Sequence, residues 1–402
     1  MADTLEVTYI HDQMRGAPIL SGTAGALIVL LDAFLVTGWG TVTATSVSVS
    51  AGIATATLPS NSLFEAGAVI LVAGAVPVQL NGRARVLPGA SSTQVQWSTA
   101  AADGDATGTI TIKYAPQGSW EKTFSGANKA VYRSLDAAST QMFLRVNDAN
   151  TTYALVRGYE TMSDVDTGTG PFPTLAQYSG DGGYWHKSSL DGVTATKYIL
   201  AADTRLMLVA ISPGTASNSA WHGACVRGFG DMARIGGATD GYHCAISVTS
   251  APSWLNNNSI SGGFDAPAIS TFGTYLPRSR DDTTTALLCP SRPICGDQSP
   301  SVTSGADSTL GALSDAVDGQ LQLSARYLAL STTNNAPRVY VPGVYTCPQT
   351  GALAAFPRAS VVDGSDILSG HRLIAVSHSS WLGNYQAVPN GVSFVDITGP
   401  WR

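Results

Sequence analysis

The stretch "ILSGTAGALIVLLDAFLVTGWG", residues 19–40, decides how the fold begins. Its apolar run from Ala24 to Val36 would make about 20 Å of helix at roughly 1.5 Å per residue, which is shorter than a bilayer core. Asp32 interrupts the run, and a carboxylate is costly inside a membrane. The preceding "LEVTYIH" alternates like a strand, and "TGWG" is a poor cleavage site for a secretion signal. The stretch is therefore predicted to be a buried core helix, with a signal peptide and a membrane anchor as the alternatives.

The spacing of the large apolar side chains predicts which face of this helix is buried. Four of them follow one another at i, i+3, i+4 and i+7, which places them on one side of an α-helix. Ser21 or Thr23 is expected to cap the start of the helix, and Gly38 and Gly40 are expected to end it. The residues predicted to form this core or assembly face are Leu27, Leu30, Leu31 and Phe34.

The composition limits the classes of partner. Charged residues make up 12% of the 402-residue chain, about half the usual share. A chain with so little charge is either secreted and β-rich or covers much of its surface in an assembly. The net charge of −6 and the absence of a lysine or arginine cluster argue against nucleic acid as a partner. No basic amphipathic segment indicates membrane insertion.

The cysteines do not predict a disulfide framework. Their number is odd, so at least one thiol has no partner within the chain. Cys289 and Cys295 could close a small ring if they were oxidised, but free thiols in a protein assembled in the cytosol are favoured. The five cysteines are Cys225, Cys244, Cys289, Cys295 and Cys347.

The remainder of the chain is predicted to be mainly β. Residues 41–58, "TVTATSVSVSAGIATATL", alternate and break at Ala51-Gly52 as a hairpin does. Short strands and turns continue to Pro116, which predicts a small antiparallel barrel or sandwich. The predicted organisation is a strand-helix segment over 1–45, the small β-domain over 46–116, and a larger β-rich, sandwich-like region over 117–402. The last region is expected to contain long irregular loops at about 250–310.

The acidic loop at residues 163–170 has the pattern of a candidate cation site. Asp164 and Asp166 lie two apart before glycine in "SDVDTGTG", as the oxygen ligands of a calcium loop do. An EF-hand needs a carboxylate at its twelfth position, where this chain has Leu175, so a solvated turn is the preferred interpretation. Glu160 beside these aspartates could form a carboxylate pair for glycoside cleavage, although surface carboxylates in a turn are the simpler explanation.

Two His/Cys pairs are weak candidates for a zinc site. Four such side chains within a short span could make a tetrahedral site. Adjacent residues on a strand, however, point to opposite faces, so scattered core and loop residues are favoured. The four residues are His222, Cys225, His243 and Cys244.

No sequence motif predicts catalysis. The chain has no G-x-S-x-G, no H-E-x-x-H and no P-loop pattern. We therefore expect a protein that is not an enzyme and that has no cofactor.

Several stretches resemble virion structural proteins encoded in the late regions of tailed bacteriophages. They include "GAPILSGTAGALIVLLDAFLVTGWG", "ATLPSNSLFEAGAVILVAGAVPVQLNGRARV", "WEKTFSGANKAVYRS", "GYETMSDVDTGTGPFPT" and the final "FVDITGPWR". The resemblance covers roughly residues 1–175 and the last ten, and is poor over about 215–320. "LPSNSLFEAG" stands where the family's small tail β-domain has a histidine-glycine turn, so the first hairpin is expected to differ. No catalytic residue carries over.

The resemblance implies a structural subunit of a phage particle, located in the virion. The preferred position is the tail or its adsorption end (tail tip, baseplate or fibre attachment), where copies of the chain would assemble with one another and with other virion proteins. One alternative is a head decoration or head–tail connector protein. Another is a receptor-binding tail protein that contacts a host surface glycan.

Overall fold

The structure is a computed structural model that describes residues 5–214, 224–236, 239–250, 252, 262–265, 273–282, 285–294, 323–347, 355–382 and 386–402. It is mainly β, as predicted. The sequence-predicted helix is α1 (Ala26–Asp32), which continues as a π-helical turn over Ala33–Thr37. Short 3₁₀ turns lie at Val78–Leu80 and Asp366–Leu368.

The described strands pair in antiparallel fashion throughout. The first half of the chain contains β1 (Thr8–His11), β2 (Ser21–Gly22), β3 (Trp39–Thr43), β4 (Ser46–Ser50), β5 (Ile53–Thr57), β6 (Val69–Ala73), β7 (Gly82–Arg85), β8 (Gln94–Ser98), β9 (Gly104–Asp105), β10 (Thr111–Tyr114), β11 (Trp120–Gly126), β12 (Lys129–Ser134), β13 (Phe143–Asn147), β14 (Tyr153–Met162), β15 (Gly168–Phe172), β16 (Gly183–His186), β17 (Gly192–Ala195) and β18 (Lys197–Ala202). The second half contains β19 (Leu206–Ser212), β20 (Arg227–Asp231), β21 (Ala233–Arg234), β22 (Cys244–Val248), β23 (Gly273–Arg278), β24 (Thr285–Leu288), β25 (Ser291–Pro293), β26 (Ser324–Ala329), β27 (Pro337–Cys347), β28 (Val361–Asp363), β29 (Arg372–Leu382) and β30 (Gln386–Asp396).

Two sheets form the body of the protein. One has the order β1-β18-β19-β20-β22-β23-β24, and the other has β11-β12-β13-β14-β15 with β16 beside β14. Their inner faces pack together: Phe172 on β15 stacks on Phe229 of β20, with ring centroids 6.2 Å apart. Trp185 on β16 donates to the carbonyl of Ser247 on β22. Because β1 is the edge strand of the first sheet, the N-terminal segment belongs to the body and is not a separate unit.

A small sandwich is inserted into this body between the π-helical turn and β11. It consists of two open four-stranded sheets, β3-β10-β6-β7 and β8-β5-β4-β9. Side chains from the two sheets, among them Val95, Trp97, Ile70 and Ile112, share one core. The two connections between the body and the sandwich are in contact. The backbone amide of Gln117, after the sandwich, donates to the backbone carbonyl of Phe34, before it, at 2.8 Å.

The predicted first hairpin of the sandwich is confirmed, and one strand of the sandwich precedes the predicted start at residue 46. β4 and β5 pair across Ala51-Gly52, both of which have positive φ (51° and 76°), as a two-residue hairpin turn requires. The boundary at residue 46, however, leaves out β3, which pairs with β10. β3 directly follows the helical segment, where Gly38 and Gly40 predict only the end of a helix, so the predicted start falls after this strand.

A third sheet, β25-β26-β27-β30-β29-β28 with β21 beside β27, completes the body. Its first strand, together with β23 and β24, lies within 250–310, which the sequence predicted to be irregular. That prediction is wrong for these described parts. The strands are only three to six residues long, and Ser, Thr and Pro on either side hide their alternation.

A fragment of residues 39–116 is expected to fold alone, because it holds all eight strands of the inserted sandwich. Expressed by itself, it should give a β-type circular dichroism spectrum and melt cooperatively. A matched fragment that begins at residue 46 lacks β3 and leaves β10 without one of its neighbours. It should melt at a clearly lower temperature. Equal melting temperatures of the two fragments would show that β3 does not belong to the unit.

Candidate functional site

Helix α1 begins without the cap that the sequence predicted. Ser21 and Thr23 bond each other through their hydroxyls at 3.0 Å and do not cap the helix. The helix starts after Gly25, whose φ of 81° is left-handed. Its first amides are satisfied from a distant part of the chain, since Asp148 accepts from the amide of Leu27 at 2.7 Å. A carboxylate at the positive end of a helix is favourable, so this contact replaces a local cap.

A fully buried ion pair supports this start of the helix. The Lys187 ammonium contacts the Asp148 carboxylate, and both side chains have no exposed surface. Lys187 also donates to the carbonyl of Thr23 at 2.7 Å. Burial raises the pKa of Asp148 and lowers the pKa of Lys187, while their mutual contact opposes both shifts. The pair therefore links four parts of the chain: the end of β2, the start of α1, and the residues that follow β13 and β16.

The charge inside the apolar run is also paired. Asp32, at the end of α1, accepts from Lys122 on β11 and from the Tyr132 hydroxyl on β12, both at 2.8 Å. Burial, reinforced by the nearby Asp32 carboxylate, raises the pKa of Tyr132 well above its usual value, so the phenol stays protonated as a donor. The helix is thus attached to the six-stranded sheet at both of its ends.

The two faces of α1 differ sharply. The four side chains that the spacing places on one face, Leu27, Leu30, Leu31 and Phe34, have no exposed surface. Val29, on the opposite face, is 58% exposed. The helix therefore has one face in the core and presents an aliphatic side chain to solvent.

Beside this outward face lies an open cleft of about 420 Å³. Ile19 and Val29 line it on the helix side, and Lys122, Asn128 and Lys129 line it on the side of β11 and β12. Ile19 is 68% exposed. The cleft is thus lined by aliphatic side chains on one side and by polar side chains on the other, and both lysines are paired with aspartates.

The exposed aliphatic surface extends past the cleft. β17 pairs with β2 next to the start of α1, with Gly192 opposite Gly22. Leu190 and Val193 on this neighbouring segment are 57% and 83% exposed. We call Ile19, Val29, Leu190 and Val193 the α1 surface. Single exposed aliphatic side chains are ordinary; here four of them belong to segments near the start of α1.

The aspartates of the candidate calcium loop have structural partners. Asp164 accepts from the amides of Asp166 and Thr167 at 2.7 and 2.8 Å, and these bonds lower the pKa of Asp164. Asp166 binds Lys129 at 2.8 Å and also Arg145, and these contacts lower its pKa. The two carboxylates hold the turn between β14 and β15 and serve as counter-ions.

The candidate zinc residues are not brought together as a set. His222 lies outside the described residues. Cys225 and Cys244 are buried, which raises the pKa of Cys225 to about 12 and that of Cys244 well above its usual value, against the thiolate that zinc needs. His243 is bonded through Nδ1 to the Asp240 carbonyl. Across the described ranges, no group of three or more His, Cys, Asp or Glu is placed to hold a metal ion.

Two further predicted residues are accounted for only in part. Glu160 receives both arms of the Arg278 guanidinium, at 2.6 and 2.8 Å, so it is an ion-pair partner. Cys289 is buried, and Cys295, with which it could close a small ring, lies outside the described residues.

Sequence reasoning missed the buried pair of Lys187 and Asp148. A lysine within the alternating "YWHKSS" is the one local sign that a charge lies inward there. In the part of the chain that the structure describes, no helix combines the length and the apolar character needed to cross a bilayer.

No protein-family model matches the chain, and no curated protein matches it either.

Proposed function

We propose that this chain is a structural subunit of a tailed-bacteriophage particle, most simply of the tail or its adsorption end, and that it works by assembling in several copies. The observation that carries the proposal is the α1 surface, where Val29 on the helix and three aliphatic side chains on segments beside it are exposed, while the other face and both ends of the helix are fixed. The resemblance of several segments to virion proteins is the reason for proposing a phage particle. The low charged fraction fits a surface that neighbouring subunits cover.

The partner that the α1 surface fits best is another copy of the same chain. Closed symmetric assemblies of identical chains are the commonest oligomers. A specific interface buries about 800 Å² on each partner, and the chain exposes 15700 Å² in total. The chain as a whole therefore exposes enough surface for more than one such contact.

Replacing Val29 by aspartate is expected to remove the chain from the particle without unfolding it. Val29 is 58% exposed, so a carboxylate there stays hydrated in the monomer but would be buried in the interface. Heads and tails of purified particles would be separated and the chain quantified by mass spectrometry. The parent chain should be found in the tail fraction in multiples of three or six, and the variant should be absent from it.

The control is Ile367→Asp, which changes a side chain that is 93% exposed and lies outside the α1 surface. It should be incorporated like the parent. Copy numbers in multiples of five or sixty in the head fraction would favour the decoration or connector alternative over the tail. Absence of the parent chain from the particle would refute the structural role, and normal incorporation of the Val29 variant would refute the role of the α1 surface.

A further inference from the structure

A second cavity, away from the α1 surface, is lined by cationic side chains. It measures about 370 Å³, within the size range of small-molecule pockets. Its walls come from β21, from the starts of β19 and β22, and from the last residue of the chain. The lining residues are Arg205, Met232, Ala233, Arg234, His243 and Arg402.

Two of the three arginines are held in place by carboxylates. Arg402 donates from Nε and Nη2 to Asp203 Oδ2 at 3.1 and 2.9 Å, and from Nη1 to the Asp231 carbonyl at 2.8 Å. Arg205 donates from Nε to Asp136 at 2.7 Å. These contacts fix the guanidinium planes before any ligand arrives, which lowers the entropy cost of binding.

The acidic residues around the cavity are largely buried and do not line it. Asp203 and Asp231 are 6% and 2% exposed. Asp203 accepts from the amides of Arg205 and Leu206, and Asp231 accepts from the amide and the hydroxyl of Thr140. Within the described part of the chain, no acidic residue lines the cavity, so its inner wall is cationic.

Several donors on this wall have no protein partner among the described residues. Arg205 uses only Nε in its contact with Asp136, which leaves both terminal nitrogens. Arg234 is exposed and makes no side-chain hydrogen bond or ion pair there. His243 donates from Nδ1 to the Asp240 carbonyl at 2.6 Å, so its Nε2 is left at 3.7 Å from Asp231. With Nδ1 as the donor, Nε2 of the uncharged tautomer is an acceptor for a ligand hydroxyl.

We propose that this cavity binds a small organic anion through a carboxylate or phosphate group that also has a hydroxyl nearby. Arg205 and Arg234 would bind the anionic oxygens, for which the planar guanidinium fork is suited. His243 would accept from the hydroxyl. The whole chain has a net charge of −6, so anions gain no general attraction to it and the cationic wall must provide the affinity. This inference does not depend on the assembly proposed above.

The test is a calorimetric titration of the full chain with inorganic phosphate and, separately, with D-glucuronate, using D-glucose as the uncharged comparison. One or both anions should bind saturably, more weakly as salt is raised, and glucose should not bind under the same conditions. Arg234→Gln should weaken anion binding about 10-fold or more, which corresponds to loss of one charge-assisted contact. Because Arg234 is exposed, the variant should keep the parent's melting temperature.

The control is Arg278→Gln, which removes a paired, partly exposed arginine that does not line the cavity and should leave binding unchanged. Binding of phosphate alone would assign the phosphate class, and binding of glucuronate alone would assign the carboxylate class. If neither anion binds, or if Arg234→Gln binds as tightly as the parent, the cavity is not an anion site.

Discussion

Replacing Lys187 by methionine is expected to lower the free energy of unfolding by about 3–5 kcal/mol. The substitution leaves the Asp148 carboxylate with no exposed surface and no cation beside it. It also removes the bond that holds the Thr23 carbonyl at the start of α1. Urea denaturation followed by circular dichroism would measure the change. The double variant Lys187→Met/Asp148→Asn should lose less than the two single changes added together, because no unpaired charge remains.

The matched control for this change is Lys129→Met. Lys129 also pairs with an aspartate, Asp166, but the two side chains are 29% and 50% exposed. Water screens such a pair, so its loss should cost less than about 1 kcal/mol. Similar losses for both lysine variants would show that the buried pair contributes no more than a surface pair does.

Leu31→Asp is expected to cost about 4 kcal/mol or more, since it buries an unpaired charge in the core. Leu31 has no exposed surface and lies on the inner face of α1. Val29→Asp introduces the same carboxylate two residues away on the outer face and should leave the melting temperature nearly unchanged. The comparison of the two variants by thermal denaturation separates the buried face of α1 from its exposed face. An unaltered melting temperature for Leu31→Asp would mean that α1 is not part of the core.

The sequence predicted best where short-range rules decide the structure. The hairpin at Ala51-Gly52 follows from alternation around two residues that tolerate positive φ. The buried face of α1 follows from its helical spacing. The contact that caps the start of α1 could not be predicted from short-range rules. The Leu27 amide is bound by Asp148, which lies 121 residues further along the chain.

The sites were harder to predict than the elements for the same reason. The α1 surface combines residues 19 and 29 with a segment near 190, which the pairing of β17 with β2 brings beside them. The cationic cavity joins Arg205, Arg234 and Arg402, which have no common motif or regular spacing. Strands as short as β25 were missed because three residues are too few to show alternation.

The inserted sandwich has a consequence for the body that comes from chain connectivity alone. The bonds from the amides of Gln117 and Gly118 to the carbonyls of Phe34 and Leu35 close a loop that contains the whole sandwich. If the sandwich were disordered, closing this loop of roughly 80 residues would cost on the order of 4 kcal/mol in lost chain entropy. The folded sandwich already holds its two connections side by side, so most of this entropy cost is met when the sandwich folds. Melting of the sandwich would therefore loosen the end of α1 and the start of β11 even if no contact across the boundary were lost.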